Sequence, residues 1–128
     1  MDRVFLDANV LFSAAYRSGA GLVRLWQRRG IQLLASGYAI EEARVNLDQP
    51  AARDRLEHPV RAVQVVPEAP DQSLPADVDL PDKDRPILRA AIAARASHLL
   101  TGDVTHFGKL FGRVIDGVRV MPPGEYLR

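Results

Sequence analysis

The sequence predicts an α/β fold, a single three-layer domain in which helices flank a central parallel sheet of four to five strands. Short apolar runs alternate along the chain with longer segments whose apolar residues recur at helical spacing. This alternation is typical of parallel sheets with helical crossovers. The chain has 128 residues, 47% of them hydrophobic and 26% charged, which is enough to build one folded core. We therefore expect residues 1–128 to form one domain.

The composition excludes several classes of protein. The chain has no cysteine, which excludes disulfide frameworks, thiolate zinc sites, iron–sulfur clusters and cysteine nucleophiles. No apolar run approaches the roughly 20 residues of a membrane span. The opening Met-Asp-Arg, followed by a short apolar run, is unlike a signal peptide. We expect a soluble, cytoplasmic protein without a membrane partner.

The first half of the chain is predicted to alternate strands with helices. Apolar runs predict strands at residues 4–6, 31–34 and 60–66. Helical spacing and chain breaks predict helices at residues 21–29, 38–47 and 51–56. Gly30 ends the first of these helices, Ser36 caps the second, and Pro50 separates the second from the third.

The second half begins with a loop. Residues 67–83 hold four of the nine prolines and show little periodicity, which indicates irregular structure. The alanine-rich residues 85–96 form the clearest predicted helix, with Pro86 in its first turn. The remaining predicted elements are a strand at 97–101, a short helix at 107–111, a strand at 114–121 interrupted by Asp116-Gly117, and a helical turn at 122–125.

Acidic residues follow two of the predicted strands. Asp7 comes directly after the first strand, and Asp103 comes two residues after Thr101, where the fourth strand ends. Ligands of open parallel sheets bind beyond the carboxyl ends of the strands, so both carboxylates should lie at that edge. Asp84 begins the helix before the fourth strand, and Glu42 lies in the helix after the second. All four carboxylates can then converge on one crevice.

Each of these acids also has a purely structural interpretation. Asp7 suits an N-cap or an Asx-turn, and Asp84 suits an N-cap ahead of Arg85-Pro86. Asp103 suits a cap for the short helix that follows it, and Glu42 suits a solvated helix face. The sequence leaves both interpretations open for each residue taken alone.

Four carboxylates in one crevice would require a counter-charge. At a separation of ~5 Å and an effective dielectric constant near 20, each ionised pair repels by ~3 kcal/mol. An all-oxygen donor set without cysteine favours Mg²⁺ or Mn²⁺ over zinc. Asn9 and Thr101 each lie two residues from one of the acids and could orient a carboxylate or a metal-bound water.

Four segments carry a resemblance to a known family. They are Phe-Leu-Asp-Ala-Asn-Val-Leu at 5–11, Ile-Glu-Glu-Ala-Arg at 40–44, Asp-Lys-Asp-Arg-Pro-Ile-Leu at 82–88 and Leu-Leu-Thr-Gly-Asp at 99–103. In order and spacing, over nearly the whole chain, they resemble the PIN-domain ribonucleases of the VapC-like toxin type. The resemblance implies a PIN-like fold. It also implies that the metal-binding and catalytic acids are Asp7, Glu42, Asp84 and Asp103, with Asn9 and Thr101 in support.

The resemblance also chooses between neighbouring acids. Glu42 is preferred to Glu41 because the family's acid precedes an x-Arg-x-x-Leu stretch, here residues 43–47. Asp84 is preferred to Asp82 because it directly precedes the predicted helix. The sequence departs from the family at Thr105, where many relatives carry a further aspartate. We therefore expect one tightly held ion, with a second recruited by substrate.

The function implied is that of a hydrolase. The resemblance implies a divalent-metal-dependent endoribonuclease that cleaves RNA phosphodiester bonds. It also implies the toxin of a toxin–antitoxin pair, which binds a cognate antitoxin. A homodimer is compatible with this type of protein. The alternative is a catalytically silent PIN-like module that binds RNA or protein. Basic residues that could contact phosphate are Arg17, Arg24, Arg28, Lys83, Arg85, Lys109 and Arg113.

The remaining features have weaker functional interpretations. Residues 68–84 carry six acids against one lysine, which suits either a metal site or a solvated loop. His106 lies near the mouth of the predicted crevice. The preferred interpretation is a helix-start residue that packs beside Phe107, and the alternative is contact with phosphate or a leaving group. A phosphoryl-transfer domain of the receiver type would need an acceptor aspartate and a downstream lysine, and no convincing pair is present.

Overall fold

A mainly parallel sheet organises the fold. The computed structural model describes residues 1–16 and 21–128. Within them lie six strands: β1 (Asp2–Leu6), β2 (Ile31–Ser36), β3 (Gln64–Val66), β4 (His98–Leu100), β5 (Val114–Ile115) and β6 (Val118–Met121). Their order is β3-β2-β1-β4-β6-β5, and every neighbouring pair is parallel except β5 with β6. The predicted fold class is confirmed.

Helices connect and flank the strands. They are α1 (Ala8–Tyr16), α2 (Val23–Gln27), α3 (Gly37–Val45), α4 (Pro50–Arg61), α5 (Arg85–Ala93), α6 (Val104–Phe107) and α7 (Pro123–Tyr126), with a 3₁₀ turn at Gly108–Leu110. Ser36 caps α3 as predicted, because its Oγ accepts a hydrogen bond from the Ala39 amide at 3.2 Å. No helix in the described part of the chain is long and apolar enough to cross a bilayer.

Three helices differ from the prediction. The short helix expected at 107–111 begins earlier, as α6 followed by the 3₁₀ turn. Helix α1 was not predicted, because apolar residues lie on most of its sides and hide the helical period. Helix α4 continues to Arg61, so β3 begins at Gln64 rather than at residue 60. Ala52, Leu56 and Pro59 are buried at helical spacing in α4. Burial of that stripe favours a helix over a strand in this segment.

The predicted strand at 114–121 is a β-hairpin. Asp116 and Gly117 have φ angles of 47° and 91°, and two successive positive φ values are what a tight type I′ turn requires. Val114 pairs with Arg119 across the turn. The sheet therefore has six strands in the described residues instead of the four to five predicted.

The order of the strands changes direction between β1 and β4. From β1 the chain moves outward to β2 and β3 on one side, and it later returns to β4 and β6 on the other. Both strands at this junction are buried, since Phe5 and Leu6 of β1 and their partners Leu99 and Leu100 of β4 have no exposed surface. Such a junction opens a crevice at the carboxyl ends of the strands.

Candidate metal centre at the carboxyl ends of β1 and β4

Asp7 follows β1 directly and is buried beneath the crevice. Its amide donates a hydrogen bond to the Leu100 carbonyl at 3.1 Å, which continues the pairing of β1 with β4. Its carboxylate accepts from the Ala8 amide at 2.7 Å, from Asn9 Nδ2 at 2.9 Å and from Thr101 Oγ1 at 2.8 Å. Burial raises the pKa of Asp7 to about 6, although the hydrogen bonds from Thr101 and Ala8 lower it.

Asn9 and Thr101 link the ends of the two strands. Asn9 Nδ2 lies 3.1 Å from Thr101 Oγ1, and Asn9 Oδ1 accepts from the Gly102 amide at 2.7 Å. Thr101 is fully buried, and its Oγ1 also accepts from the Asp103 amide at 3.1 Å. These contacts fix the orientation of Asp7 and place Asp103 on the same edge of the sheet.

Asp84 ends the long acidic loop and precedes α5. Its side chain is 8% exposed and makes no capping hydrogen bond to α5, so the capping interpretation does not hold for this residue. Burial raises the pKa of Asp84; His106 opposes that shift, the charge of Asp103 adds to it and Lys83 lowers it. The carboxylate therefore faces other charged groups at the crevice.

Asp103 has both of the roles that its sequence position suggests. Its Oδ1 accepts from the His106 amide at 3.0 Å, so it caps the short helix α6. Its Oδ2 lies 3.0 Å from His106 Nδ1 and stays on the crevice side. Capping a helix and lining the crevice are compatible because each function uses a different oxygen.

Glu42 and Glu41 have different surroundings on α3. Glu41 is exposed and pairs with Arg44 at 2.8 Å. Glu42 is partly buried, and its pKa is raised by burial and by the charge of Asp84, lowered by Lys83, and raised further by Asp103. The structure thus places Glu42, and not Glu41, beside the other acids.

All four predicted acids line one open cavity of about 550 Å³. Asn9, Phe12, Ser13, Asn46 and Lys83 complete most of its wall. Phe12 both packs against the core and faces this cavity. Folding therefore gathers carboxylates from two strand ends, a loop and a helix at the predicted edge.

His106 was expected near the mouth of the crevice, chiefly as a helix-start residue, and the structure places it against the acids. Its Nδ1 lies 2.9 Å from Asp84 Oδ2 and 3.0 Å from Asp103 Oδ2. Its ring therefore contacts two acids, and its backbone lies in α6 beside Phe107. The spacing of three residues from Asp103 puts both side chains on the same face of α6. That spacing was the available signal. Asp84 was expected at the same crevice, but its contact with His106 depends on how α5 and α6 pack.

The basic residues that were predicted to contact phosphate have different surroundings. Lys83 lines the cavity, whereas Arg85 donates to the Leu80 carbonyl at 3.2 Å. Lys109 and Arg113 pair with loop acids, Asp79 at 2.6 Å and Asp77 at 2.8 Å. Asp77 and Asp79 of the acidic stretch therefore meet cations at the surface rather than at the candidate site.

Two arginines lie away from the acids. Arg28 donates to the Tyr126 carbonyl at 3.3 Å, and the Tyr126 hydroxyl donates to Asp2 at the start of β1. Arg24 lines a small depression with Arg28. Both arginines lie at the amino ends of the strands, opposite the acids, because α2 leads into the amino end of β2. We call this side the amino edge of the sheet. Arg17 lies outside the described residues.

The donor set fits a divalent cation. Asp84, Asp103 and His106 each offer a ligand atom, and these atoms lie within 4.8 Å of one another. Among the described residues, Asp84 Oδ2 is buried without a hydrogen-bond partner, although buried carboxylate oxygens normally have one. Oxygen-rich sites suit Mg²⁺ and Mn²⁺. Burial raises the pKa values of Asp7, Glu42 and Asp84, and the charges of neighbouring acids raise them further; a cation here would offset that repulsion.

Two solved structures share this fold. VapBC2 from Rickettsia felis, solved with a DNA fragment from its promoter, aligns with a TM-score of 0.72 at 12% identity and covers 94% of this chain and 98% of that one. VapC20 from Mycobacterium tuberculosis, a sarcin-ricin loop cleaving toxin, aligns with a TM-score of 0.60 at 11% identity and covers 88% and 98%. At these identities the likeness concerns the fold.

The sequence comparisons give the family. No curated protein matches the chain significantly. The sequence model of the PIN domain matches residues 3–105, a span that runs from β1 into α6 and includes all four acids. The chain therefore belongs to the PIN domain family.

Proposed function

We propose that this PIN domain is a divalent-metal-dependent endoribonuclease and the toxin of a toxin–antitoxin pair. The observation that carries the proposal is the convergence of Asp7, Glu42, Asp84 and Asp103 on one open cavity at the switch point of the sheet. Without a counter-ion this arrangement only costs stability. Binding of a divalent cation would explain why the fold gathers four carboxylates in one cavity.

The four acids would hold Mg²⁺ or Mn²⁺. When bound, such an ion lowers the pKa of coordinated water and stabilises negative charge on a phosphodiester. Asn9 and Thr101 orient the Asp7 carboxylate through the hydrogen bonds described above. A carboxylate that faces the cavity can accept the proton of the attacking water.

Lys83 is the cation best placed to bind the RNA backbone. It lines the same cavity as the acids and lowers the pKa values of Glu42 and Asp84. A lysine holds phosphate without reading sequence. The cavity is open and partly polar, which suits an extended single strand better than a small enclosed substrate.

The partners are proposed from the structural neighbours. VapC20 is a toxin that cleaves the sarcin-ricin loop, and VapBC2 was solved as a complex with promoter DNA. By analogy we propose RNA as the substrate and a VapB-like antitoxin as the cognate partner of this chain. A homodimer is an expectation that rests on the family resemblance and not on these two structures.

A matched pair of variants tests the proposal. The purified protein is incubated with a mixed RNA pool in Mn²⁺ or Mg²⁺, with and without chelator. Asp84→Asn should lower cleavage by at least about 100-fold, since even groups that only orient metal ligands affect activity by 10–100-fold. Asp82→Asn removes an exposed charge two residues away and should leave cleavage unchanged. RNA binding without metal-dependent cleavage would support the silent module instead.

A further inference from the structure

We propose that His106 is a ligand of the bound cation, so that the site combines an imidazole nitrogen with carboxylates and selects Mn²⁺ over Mg²⁺. This inference rests on the proposed metal site and adds a nitrogen ligand to the four carboxylates. It concerns the chemistry of one side chain, His106, and its two neighbours Asp84 and Asp103.

The distances between the donor atoms suit a shared cation. His106 Nδ1 lies 2.9 Å from Asp84 Oδ2 and 3.0 Å from Asp103 Oδ2. Adjacent ligands of an octahedral ion with bonds of about 2.1 Å are separated by about 3.0 Å. His106 Nδ1 therefore lies as close to each of the two carboxylate oxygens as adjacent ligands in one coordination sphere lie to each other.

The hydrogen bonding of these atoms gives an independent reason. Among the described residues, both Asp84 Oδ2 and His106 Nδ1 are buried without a hydrogen-bond partner, although they face each other. Their close approach lacks the alignment of a hydrogen bond. The Asp84 side chain is only 8% exposed, so water does not readily replace the missing partner. A cation would satisfy both atoms at once.

The backbone holds the imidazole in this position. The His106 amide donates to Asp103 Oδ1 at 3.0 Å, which fixes the first turn of α6. The next residue, Phe107, is fully buried and anchors the helix to the core. The ring is thus preorganised beside Asp103 rather than held by a flexible surface segment, and a preorganised ligand loses little entropy on binding.

A nitrogen ligand changes the choice of metal. Mg²⁺ prefers oxygen ligands and dehydrates reluctantly, whereas imidazole suits transition metals. Replacing one oxygen ligand by His106 therefore disfavours Mg²⁺ relative to Mn²⁺. The carboxylates Asp7 and Glu42 on the other walls keep the site hard enough for Mn²⁺.

Pulsed electron paramagnetic resonance of the Mn²⁺-loaded full chain tests the inference directly. We expect modulation from a directly coordinated ¹⁴N nucleus in the wild type, and a change to the ¹⁵N pattern when only histidine is labelled. His106→Gln should abolish the nitrogen modulation, and His58→Gln, at an exposed position of α4, should retain it. The labelling measurement needs no variant and does not depend on whether His106→Gln folds.

Metal titrations provide the second readout. His106→Gln should weaken Mn²⁺ binding by about tenfold and Mg²⁺ binding by less than about threefold, so the preference falls. Bound Mn²⁺ without nitrogen modulation would overturn this inference and leave the proposed function intact. Failure of the wild type to bind Mn²⁺ at all would overturn both.

Discussion

The hydroxyl of Thr101, at the end of β4, donates a hydrogen bond of 2.8 Å to Oδ2 of Asp7, at the end of β1. The two residues are 94 positions apart in the chain, and the contact exists because the parallel strands end at the same edge. It stabilises the ionised form of a carboxylate that burial would otherwise protonate. This pair connects the stability of the fold with the charge of the candidate site.

Removing the Thr101 hydroxyl should affect both stability and metal binding. Thr101→Val keeps the shape of the side chain but removes one of the two hydrogen bonds to Asp7 Oδ2, leaving the one from Asn9, and it removes the acceptor of the Asp103 amide. We expect a loss of about 1–3 kcal/mol in the free energy of unfolding, measured by urea titration. Because the pKa of Asp7 rises further, Mn²⁺ binding at pH 6 should also weaken. Thr101→Ser keeps the hydroxyl and should retain Mn²⁺ affinity within about twofold; equal affinities for the two variants would contradict this role.

The raised pKa of Asp7 predicts an unusual pH dependence of stability. The folded chain releases this proton at about pH 6, against an ordinary value of 3.8, so between these values it binds a proton that the unfolded chain has lost. The contribution of Asp7 to stability is present below pH 3.8 and is lost as the pH rises through 6. It amounts to about 3 kcal/mol at most.

Comparison with Asp7→Asn in chelator isolates this contribution. The free energy of unfolding of the wild type, minus that of the variant, should be larger at pH 4 than at pH 7. Hydrogen bonds lost in the variant add a constant offset and do not alter this slope. A difference that stays level across the range would show that Asp7 titrates normally. With Mn²⁺ present, affinity should decrease below about pH 6, because protons then compete for Asp7.

Glu42 and Glu41 form a natural matched pair. Glu42→Gln removes a charge from the cavity, so the thermal midpoint of the metal-free protein should rise by a few degrees. The increase in midpoint on adding Mn²⁺ should become smaller, because a ligand is lost. Glu41→Gln alters only an exposed ion pair with Arg44 and should change the midpoint little. Equal responses of the two variants, measured by differential scanning fluorimetry, would exclude Glu42 from the site.

Residues at the carboxyl ends and at the amino ends of the strands should differ in RNA binding. Lys83→Gln should weaken binding to a single-stranded RNA in chelator and lower the slope of log K against log salt by about 0.7, the loss of one phosphate contact. Arg28→Gln, at the amino edge of the sheet, should leave both quantities unchanged. Fluorescence anisotropy at several salt concentrations measures both. A larger effect at Arg28 would place the RNA on the opposite edge.

The sequence predicted the fold class and two of the four acids with a physical reason. Hydrophobic periodicity indicates parallel strands, and parallel strands place their carboxyl ends together, so the proximity of Asp7 and Asp103 follows from local pattern alone. Helix α1 and the hairpin at Asp116-Gly117 were not predicted as such. In α1 the apolar residues hide the helical period, and in the hairpin a two-residue turn divides what looks like one strand.

The family resemblance named Glu42 and Asp84, but only tertiary structure decided how these residues and His106 meet at the candidate site. The direction of a side chain on a helix or loop depends on how that element packs, and neither residue type nor spacing encodes this. Asp84 therefore lies beside His106, while Asp77 and Asp79 of the same loop pair with surface cations. The sequence determined which edge of the sheet carries the charge, and the packing of α3, α5 and α6 decided which groups meet there.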